Sequence, residues 1–356
     1  MKQAFWKNRS VFLSGHTGFK GGWLALWLSE LGAKVHGYSL EMPSNPNFFS
    51  EIKLEDRIES STIGDIRDLD KLISAMCLSK ASVVIHMAAQ SLVRESYNSP
   101  LETFTTNAIG SMNILEAVRE SDSVKSMVMI TSDKAYRNVE WIWGYKEDDL
   151  LGGEDPYSSS KGCAELATSA YTRSFFSKNN SPNVASVRAG NVIGGGDWSN
   201  DRLIPDILRA FQNNNEIIIR NPKATRPWQH VLEPLGGYLL LAEQLASGCT
   251  TCASAFNFGP LQEANCSVRQ LVEVALQHWA GEWQDLSDAT APHEATRLHL
   301  QIDKAYHHLN WRPRWNFDTT IARTVAWYRA IYEGGNALDY CMADLDTYQQ
   351  ETTNDC

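Results

Sequence analysis

Short apolar runs alternate with amphipathic stretches up to about residue 189. A run of a few apolar residues is typical of a buried strand, and an apolar repeat near 3.6 residues is typical of a helix. Their alternation predicts a parallel sheet whose strands are joined by helical crossovers. The predicted strands span residues 11–13, 34–38, a short segment ending at 63, 83–87, 127–130 and 184–188; the predicted helices include 23–31, 69–76, 104–119 and 159–176.

The pattern changes after about residue 189, where Gly194-Gly195-Gly196 is followed by Pro-marked turns and short apolar segments. This change indicates a smaller lobe beside the sheet. We therefore predict an α/β fold, with a doubly wound parallel sheet in residues 1–189, return segments at about 233–260 that begin with a helix near Pro234, and a smaller C-terminal lobe made mainly of residues 190–356. The polar tail from about Met342 is expected to fray.

Composition narrows the class of protein. The chain has 356 residues and a formal net charge of -10, which argues against a nucleic-acid partner because that would require clustered Lys and Arg. No apolar run approaches the ~20 residues that span a bilayer, and the N-terminus lacks a signal-peptide pattern. Seven scattered cysteines fit a reducing compartment, so we expect a cytoplasmic protein with no membrane partner. Cys249 and Cys252 lack further ligands at zinc spacing, and we expect neither a metal nor a redox role there.

Three glycines follow the first predicted strand directly and open the first predicted helix. Glycines allow a backbone to approach a pyrophosphate closely, and the free N–H groups at a helix start attract its charge. In this position the motif predicts a dinucleotide site. The residues expected to contact the cofactor here are Gly15, Thr17, Gly18, Phe19, Lys20 and Gly21.

The end of the second predicted strand departs from the usual dinucleotide scheme. An acidic residue there would bind the adenosine ribose, but the chain has Tyr38-Ser39-Leu40. This departure, with Lys20 in the glycine loop, leaves the choice between NAD and NADP open. Further cofactor contacts are expected near the adenine, from Asp65 and Ile66, and near the pyrophosphate and nicotinamide ribose, from Ala88, Ala89 and Gln90.

Tyr157 and Lys161 are one helical turn apart and share one face of a predicted helix. An ammonium beside a phenol lowers the phenol pKa from its usual ~10 toward neutrality, so Tyr157 could take a proton from a substrate hydroxyl. Ser132 follows the fifth predicted strand and would hydrogen-bond the same hydroxyl. Its neighbours Asp133 and Lys134 add an acid and a base that a simple dehydrogenase does not need; a surface ion pair is the alternative.

Together these motifs resemble the extended short-chain dehydrogenase/reductase family, and more closely the nucleotide-sugar 4,6-dehydratases. The resemblance covers essentially the whole chain and rests on residues 15–23, 86–90, Asn107-x-x-Gly110, 131–136 and 188–198. Dehydratases that act on dTDP-glucose or GDP-mannose have an Asp-Glu or Thr-Glu pair where this chain has Asp133-Lys134, and the lysine matches the CDP-sugar branch. The resemblance implies NAD as cofactor, with Asn107 as a further residue of the cofactor site.

The reaction implied by the resemblance is dehydration of CDP-D-glucose, a step that supplies deoxysugars for surface polysaccharide such as O-antigen. C4 is oxidised transiently, water is eliminated across C5 and C6, and the hydride returns to C6. Asp133, if protonated, would be the acid at the C6 hydroxyl. Lys134 would act at C5, either as a neutral base or as an ammonium that stabilises the enolate.

The second lobe is expected to hold the nucleotide diphosphate, because guanidinium groups suit bidentate phosphate recognition. By resemblance, the substrate contacts are Asn191, Arg202, Arg226 and Asn257. His293-Glu294-Ala295 also resembles a loop of the CDP-sugar branch, and Trp141 and Trp143 are expected to pack in the core or a lid rather than stack on the base. Family members usually pair through two helices, so the apolar faces at 104–119 and 157–176 imply a homodimer or a dimer of dimers.

Other functions stay open from the sequence. The chain could dehydrate another nucleotide-linked hexose, or it could be a nucleotide-sugar 4-epimerase, for which Asp133 and Lys134 would be unnecessary. A non-catalytic dinucleotide-binding scaffold would tolerate loss of the catalytic residues, so the intact set of Ser132, Tyr157 and Lys161 argues against it.

Overall fold

The computed structural model describes residues 2–178, 180–199, 202–213, 215–287 and 297–351. Its strands are β1 (Ser10–Ser14), β2 (Lys34–Ser39), β3 (Ser60–Ile63), β4 (Val83–His86), β5 (Ser126–Ile130), β6 (Asn183–Ala189), β7 (Val192–Ile193), β8 (Ile217–Ile219), β9 (Thr225–Pro227), β10 (Gln229–His230), β11 (Phe256–Phe258), β12 (Asn265–Ser267) and β13 (Trp283–Asp285). Its α-helices are α1 (Gln3–Trp6), α2 (Phe19–Glu30), α3 (Phe48–Glu51), α4 (Leu69–Ser79), α5 (Val93–Asn98), α6 (Pro100–Phe104), α7 (Gly110–Arg119), α8 (Pro156–Ser174), α9 (Leu203–Gln212), α10 (Leu232–Ala246), α11 (Val268–His278), α12 (Asp303–Leu309), α13 (Phe317–Tyr332) and α14 (Ala337–Gln350).

Seven parallel strands form the central sheet in the order β11-β6-β5-β4-β1-β2-β3, which confirms the predicted doubly wound fold. Every residue of β4 and β5 is buried, because helices cover both faces of the sheet. The strand order reverses between β1 and β4. Ligands of such sheets bind at the carboxyl ends of the strands beside this reversal, so the loops after β1 and β4 mark the site.

The helix predicted at residues 104–119 begins earlier and is less regular than expected. It runs from α6 through a wider π-type turn, Thr105–Ile109, into α7. The next long helix, α8, also begins earlier, at Pro156, because the Asp155 carboxylate accepts a hydrogen bond from the Ser158 N–H and a proline occupies the first turn.

Segments from the second half of the chain return to the sheet. Helix α10 packs over β5 and β6, and β11 pairs with β6 at the edge. The remaining short strands form three two-stranded sheets, β10-β7, β12-β9 and β13-β8. Within the described ranges, no helix is long and apolar enough to cross a membrane.

The expectation that the tail frays is wrong for its described part. Residues Ala337–Gln350 form α14, whose side chains Cys341, Leu345 and Tyr348 are buried. Their spacing of four and three residues places them on one helix face. That face packs on α2, where the rings of Tyr348 and Trp27 contact edge to face with their centres 5.6 Å apart.

Candidate active site

The glycine loop, which connects β1 to α2, lies directly against the backbone that follows β4. Gly15 has φ +83°, and a Cβ atom there would lie 2.7 Å from the Ala88 nitrogen. A Cβ atom at Gly21 would lie 2.0 Å from the Gly15 oxygen, so side chains are excluded at both positions. Helix α2 begins directly after Gly18, so its first N–H groups and the positive end of its dipole face the loop. This backbone fits a pyrophosphate.

At the end of β2, where the usual dinucleotide scheme has an acidic side chain, this chain has the hydroxyl groups of Thr17 and Ser39. The Thr17 and Ser39 hydroxyl oxygens are 2.8 Å apart, and the Thr17 hydroxyl donates to the Leu40 carbonyl at 3.1 Å. Beyond β3, Arg67 donates to Asp65 at 2.6 Å and keeps the pKa of that carboxyl below its usual value. The backbone turn at Asp65 is in turn held by Tyr38, whose hydroxyl donates to the Asp65 carbonyl at 2.9 Å.

The loop after β4 is fixed by Asn107, which lies in the π-type turn. The Asn107 oxygen accepts from the Gln90 N–H at 2.9 Å, and its amide nitrogen donates to the Gln90 carbonyl at 2.9 Å. The same amide donates to the Ser160 hydroxyl at 2.9 Å. Asn107 therefore ties the segment that contains Ala88 and Ala89 to the helix that carries Tyr157 and Lys161.

A buried turn at the end of β5 carries the predicted acid. The Ser132 hydroxyl donates to Asp133 Oδ1 at 3.0 Å and accepts from the Lys134 N–H at 3.2 Å. Only 4% of Asp133 is exposed, and this burial raises the pKa of its carboxyl, with Lys134 and Arg226 acting in the opposite direction. A carboxyl with a raised pKa is suited to carry a proton.

Tyr157 and Lys161 are both buried at the start of α8. Burial raises the pKa of the Tyr157 phenol, while its hydrogen bond with Ser132 and the charge of Arg202 oppose the shift. The predicted lowering of this pKa is therefore wrong, because the loss of hydration outweighs the hydrogen bond with Ser132 and the charge of Arg202. Burial also lowers the pKa of Lys161 to about 8, and Glu165 opposes that change.

Lys20 reaches into the same cluster. Its ammonium donates to the Tyr238 hydroxyl at 3.2 Å, and Tyr238 is fully buried on α10. Burial, followed by the charges of Lys161 and Arg202, lowers the pKa of Lys20 to about 7. The sequence placed Lys20 only at the cofactor loop, and no local pattern pairs it with Tyr238, since the two are 218 positions apart.

Two predicted substrate arginines lie within electrostatic reach of the predicted catalytic residues. Arg202 forms an ion pair with Asp197 at 2.9 Å and donates to the Ser91 hydroxyl at 3.2 Å, which links the segment before α9 to the loop after β4. Arg226 lies on β9 and donates to the Thr225 carbonyl at 2.9 Å. Its charge acts on Asp133, so it lies within electrostatic reach of the predicted acid.

The two predicted amide contacts differ in surroundings. Asn191 is half-buried, and its carbonyl accepts from the Gln229 N–H at 3.1 Å. Asn257 is fully buried; Oδ1 accepts from the Tyr136 hydroxyl at 2.8 Å, and Nδ2 donates to the Tyr145 and Gln301 carbonyls at 2.8 and 3.2 Å. In this structure the Asn257 amide thus joins three segments behind the site, and its contact with substrate stays a prediction.

The aromatic residues near the catalytic turn mostly pack on one another. Tyr145 stacks on Tyr136 and on Trp141 at 5.2 Å each, whereas Trp143 is 65% exposed. His293-Glu294-Ala295 lies outside the described residues. Across the part of the chain that the structure describes, no group of three or more His, Cys, Asp or Glu side chains is arranged to hold a metal ion.

Comparison with known proteins assigns the chain to a family. It belongs to the GDP-mannose 4,6 dehydratase family, whose model matches residues 12–324. It is 48% identical to the CDP-glucose 4,6-dehydratase of Salmonella typhimurium over 354 residues, which cover 98% of each chain. A dTDP-glucose 4,6-dehydratase of Streptomyces antibioticus is 27% identical over 75% of each chain.

Solved structures share the fold across different reactions. A dTDP-glucose 4,6-dehydratase from Streptomyces venezuelae with NAD and TYD bound has a TM-score of 0.76 at 21% identity, covering 92% of this chain and 99% of that one. A UDP-glucose-4-epimerase from Stenotrophomonas maltophila with bound NAD has a TM-score of 0.78 at 19% identity, covering 92% and 100%. Since both reactions occur on this fold, the choice between them depends on the site residues.

Proposed function

We propose that this protein is a hydro-lyase that converts CDP-D-glucose into CDP-4-dehydro-6-deoxy-D-glucose and water with NAD as a returning hydride carrier. The observation that carries the proposal is the turn Ser132-Asp133-Lys134, with Ser132 and Asp133 buried and Lys134 half-buried, beside Tyr157 and Lys161. An epimerase would need the proton-transfer pair but not the acid at Asp133. The Salmonella typhimurium relative supports CDP-glucose as the substrate.

NAD would be held by the loops at the carboxyl ends of β1, β3 and β4. The side-chain-free surface at Gly15 and Gly21 supports a pyrophosphate there. We infer that residues 1–189, with returns at about 233–260, bind the cofactor, and that residues 190–356 mainly bind the nucleotide sugar. When bound, NAD accepts a hydride from C4 of the sugar and later returns it to C6. The proposed contacts are Gly15, Thr17, Gly18, Phe19, Lys20, Gly21, Asp65, Ile66, Ala88, Ala89, Gln90, Asn107, Tyr157 and Lys161.

Tyr157 would act in the oxidation of C4. Its phenolate takes the C4 hydroxyl proton as the C4–H bond breaks, which leaves a ketone at C4. Ser132 would orient the hydroxyl, and the Lys161 ammonium would stabilise the phenolate. Because burial favours the neutral phenol, these positive and hydrogen-bonding groups are needed for the proton transfer.

Asp133 and Lys134 would act in the loss of water. The C4 ketone makes the C5 proton acidic, so Lys134 can remove that proton or stabilise the enolate that forms. Asp133 donates a proton to the C6 hydroxyl, which leaves as water. Its raised pKa supports this acid role. The C5 position takes up a proton when C6 receives the hydride, so the net change is loss of one water.

The nucleotide diphosphate would lie between the lobes. Arg202 and Arg226 approach the catalytic turn from the second lobe, and their positive charge suits a pyrophosphate. Asn191 and Asn257 complete the proposed substrate site. We also infer that two chains pair through α6–α7 and α8, where Leu101, Ile109 and Leu166 are exposed.

The deciding experiment is incubation of the purified protein and NAD with CDP-, dTDP-, UDP- and GDP-linked hexoses. We expect mass spectrometry to show loss of one water from CDP-glucose, with no net NADH. The matched variant Asp133→Asn should still oxidise C4, so NADH should accumulate without loss of water. A new C4 epimer of unchanged mass would instead establish an epimerase, and inertness toward every sugar would reject both.

A further inference from the structure

A buried carboxylate lies directly behind the catalytic residues. Glu165 is 3% exposed and follows Lys161 by one helical turn on α8. Its Oε2 atom accepts from Arg188 at 2.8 Å and from the Ser186 hydroxyl at 2.7 Å, both on β6. Its Oε1 atom accepts from the Thr131 hydroxyl. One side chain thus connects the catalytic helix, strand β6 and the end of β5.

The Thr131 contact reaches the catalytic turn. Thr131 immediately precedes Ser132, and its N–H donates to the Val187 carbonyl at 2.9 Å. The same hydroxyl that meets Glu165 also lies 3.0 Å from that carbonyl. The backbone just before the turn is therefore held on both sides, so its position relative to α8 depends on the Glu165 carboxylate.

Arg188 extends this support to the far side of the turn. Only 3% of its side chain is exposed, and its guanidinium lies 4.6 Å from the centre of the Tyr136 ring. It also donates to the Glu147 carbonyl at 2.9 Å. Because Tyr136 lies two residues after Lys134, the Glu165–Arg188 ion pair contacts the chain before and after Ser132-Asp133-Lys134.

The negative charge of Glu165 also acts on the Lys161 ammonium. The charged or titratable groups around Lys161 are Tyr157 and Glu165 on its own helix, Lys20 from α2 and His86 from β4. Burial lowers the pKa of His86 to about 3, so this ring is neutral at working pH. Glu165 is therefore the negative charge that favours the ammonium form of Lys161.

We propose that Glu165 is a positioning residue of the catalytic centre, which sets the distance between the Ser132 turn and the Tyr157–Lys161 helix and keeps Lys161 charged during C4 oxidation. The proposal rests on the proposed function for the identity of the reaction. It requires only that hydride transfer occurs with the aid of Tyr157, so it applies to whichever nucleotide sugar the protein oxidises.

The test compares three variants by stopped-flow NADH absorbance, steady-state kinetics and thermal unfolding. Glu165→Gln preserves the shape and removes the charge; we expect kcat to fall about 100-fold and the alkaline limb of its pH profile to move to lower pH. Thr131→Val removes the hydroxyl that contacts Glu165 and the Val187 carbonyl but keeps the Glu165 charge; we expect kcat to fall about tenfold at unchanged KM, with the limb in place. Asp344→Asn is the control, because it breaks another ion pair of a buried carboxylate, with the half-buried Arg323, far along the chain.

The control variant should keep the wild-type kcat and pH profile. If Glu165→Gln does not fold, Thr131→Val alone decides, since it leaves the Glu165–Arg188 pair intact. Wild-type turnover and pH dependence in the folded Glu165→Gln and Thr131→Val variants would overturn the proposal. Failure of the wild-type protein to dehydrate CDP-glucose would reject the proposed function instead, and the comparison would proceed on the sugar that it oxidises.

Discussion

Tyr157 illustrates how the same burial that forms a site can oppose its chemistry. The phenol is 8% exposed, and burial keeps its pKa above the usual value. Proton transfer then depends on the groups placed around it, of which Ser132 and Arg202 act to lower the pKa.

We predict that Tyr157→Phe lowers kcat by about 10³-fold with little change in the unfolding temperature, because the variant loses the proton acceptor but keeps the ring. Turnover measured by product mass and stability measured by circular dichroism check this outcome. Tyr171→Phe is a matched control on the same helix, where the hydroxyl donates to Glu116 at 2.6 Å away from the site. Near-normal turnover of Tyr157→Phe would remove the phenol from the mechanism.

Helices α6–α7 and α8 show at the element scale what one chain leaves uncovered. Leu101, Ile109 and Leu166 are 76%, 47% and 62% exposed, although they lie on otherwise well-packed helices. Apolar side chains on neighbouring helices favour burial against another surface. A second copy of the same chain would present the same helices, which gives the self-complementary contact of a twofold dimer.

We predict that Leu166→Asp converts the oligomer into a single chain, because the carboxylate would lose its hydration at the paired helices. Light scattering after gel filtration measures the change. Leu78→Asp is the control, since Leu78 is 83% exposed on α4 and should leave the oligomer intact. A wild-type protein that is already monomeric, or a Leu166→Asp variant that still pairs, would contradict the proposed interface.

At the scale of the whole molecule, Glu233 joins segments that are distant in the chain. This fully buried residue of α10 accepts from the Trp315 N–H at 2.7 Å and from the Arg314 N–H at 3.0 Å. It also accepts from the Tyr348 hydroxyl of α14 at 2.8 Å. Burial raises the pKa of Glu233 from 4.5 to about 7, despite these three donors.

Because of this raised pKa, the free energy of unfolding depends on pH. Between pH 4.5 and about 7 the unfolded chain releases the Glu233 proton while the folded protein retains it, so the contribution to the free energy of unfolding decreases as pH rises. We predict that Glu233→Gln, which does not titrate, gains on the order of 2–3 kcal/mol relative to the wild type across this window. Urea unfolding at several pH values measures the difference. A difference that stays constant with pH would contradict the raised pKa.

Much of the first lobe followed from local sequence. Strands β4 and β5 were predicted to within one residue at each end, because buried parallel strands require continuous apolar runs that nearby polar residues interrupt. The placement of Tyr157 and Lys161 on one helix was also visible, since they need only helical spacing to share a face. Helix starts were predicted less well: the capping signal of Asp155 and Pro156 is polar and lies outside the apolar repeat.

Other features were decided by tertiary structure alone. The amphipathic spacing of α14 is present in the tail sequence, but the polar composition of the tail did not indicate a stable helix. The helix is held by contacts of Tyr348 with Trp27 on α2 and Glu233 on α10. Lys20 donates a hydrogen bond to Tyr238 because α10 covers the face of the sheet. The Asn257 amide donates to the Tyr145 carbonyl because β11 joins the edge of the sheet.

The sequence by itself thus determined the repeating elements, the glycine loop after β1 and the helical spacing of Tyr157 and Lys161, since each depends on residues within a few turns of one another. Tertiary structure determined the pKa directions of Tyr157, Asp133 and Glu233. The physical reason is that burial and charge depend on every segment packed around a group, and the order of residues in one segment does not specify which distant segments will surround it.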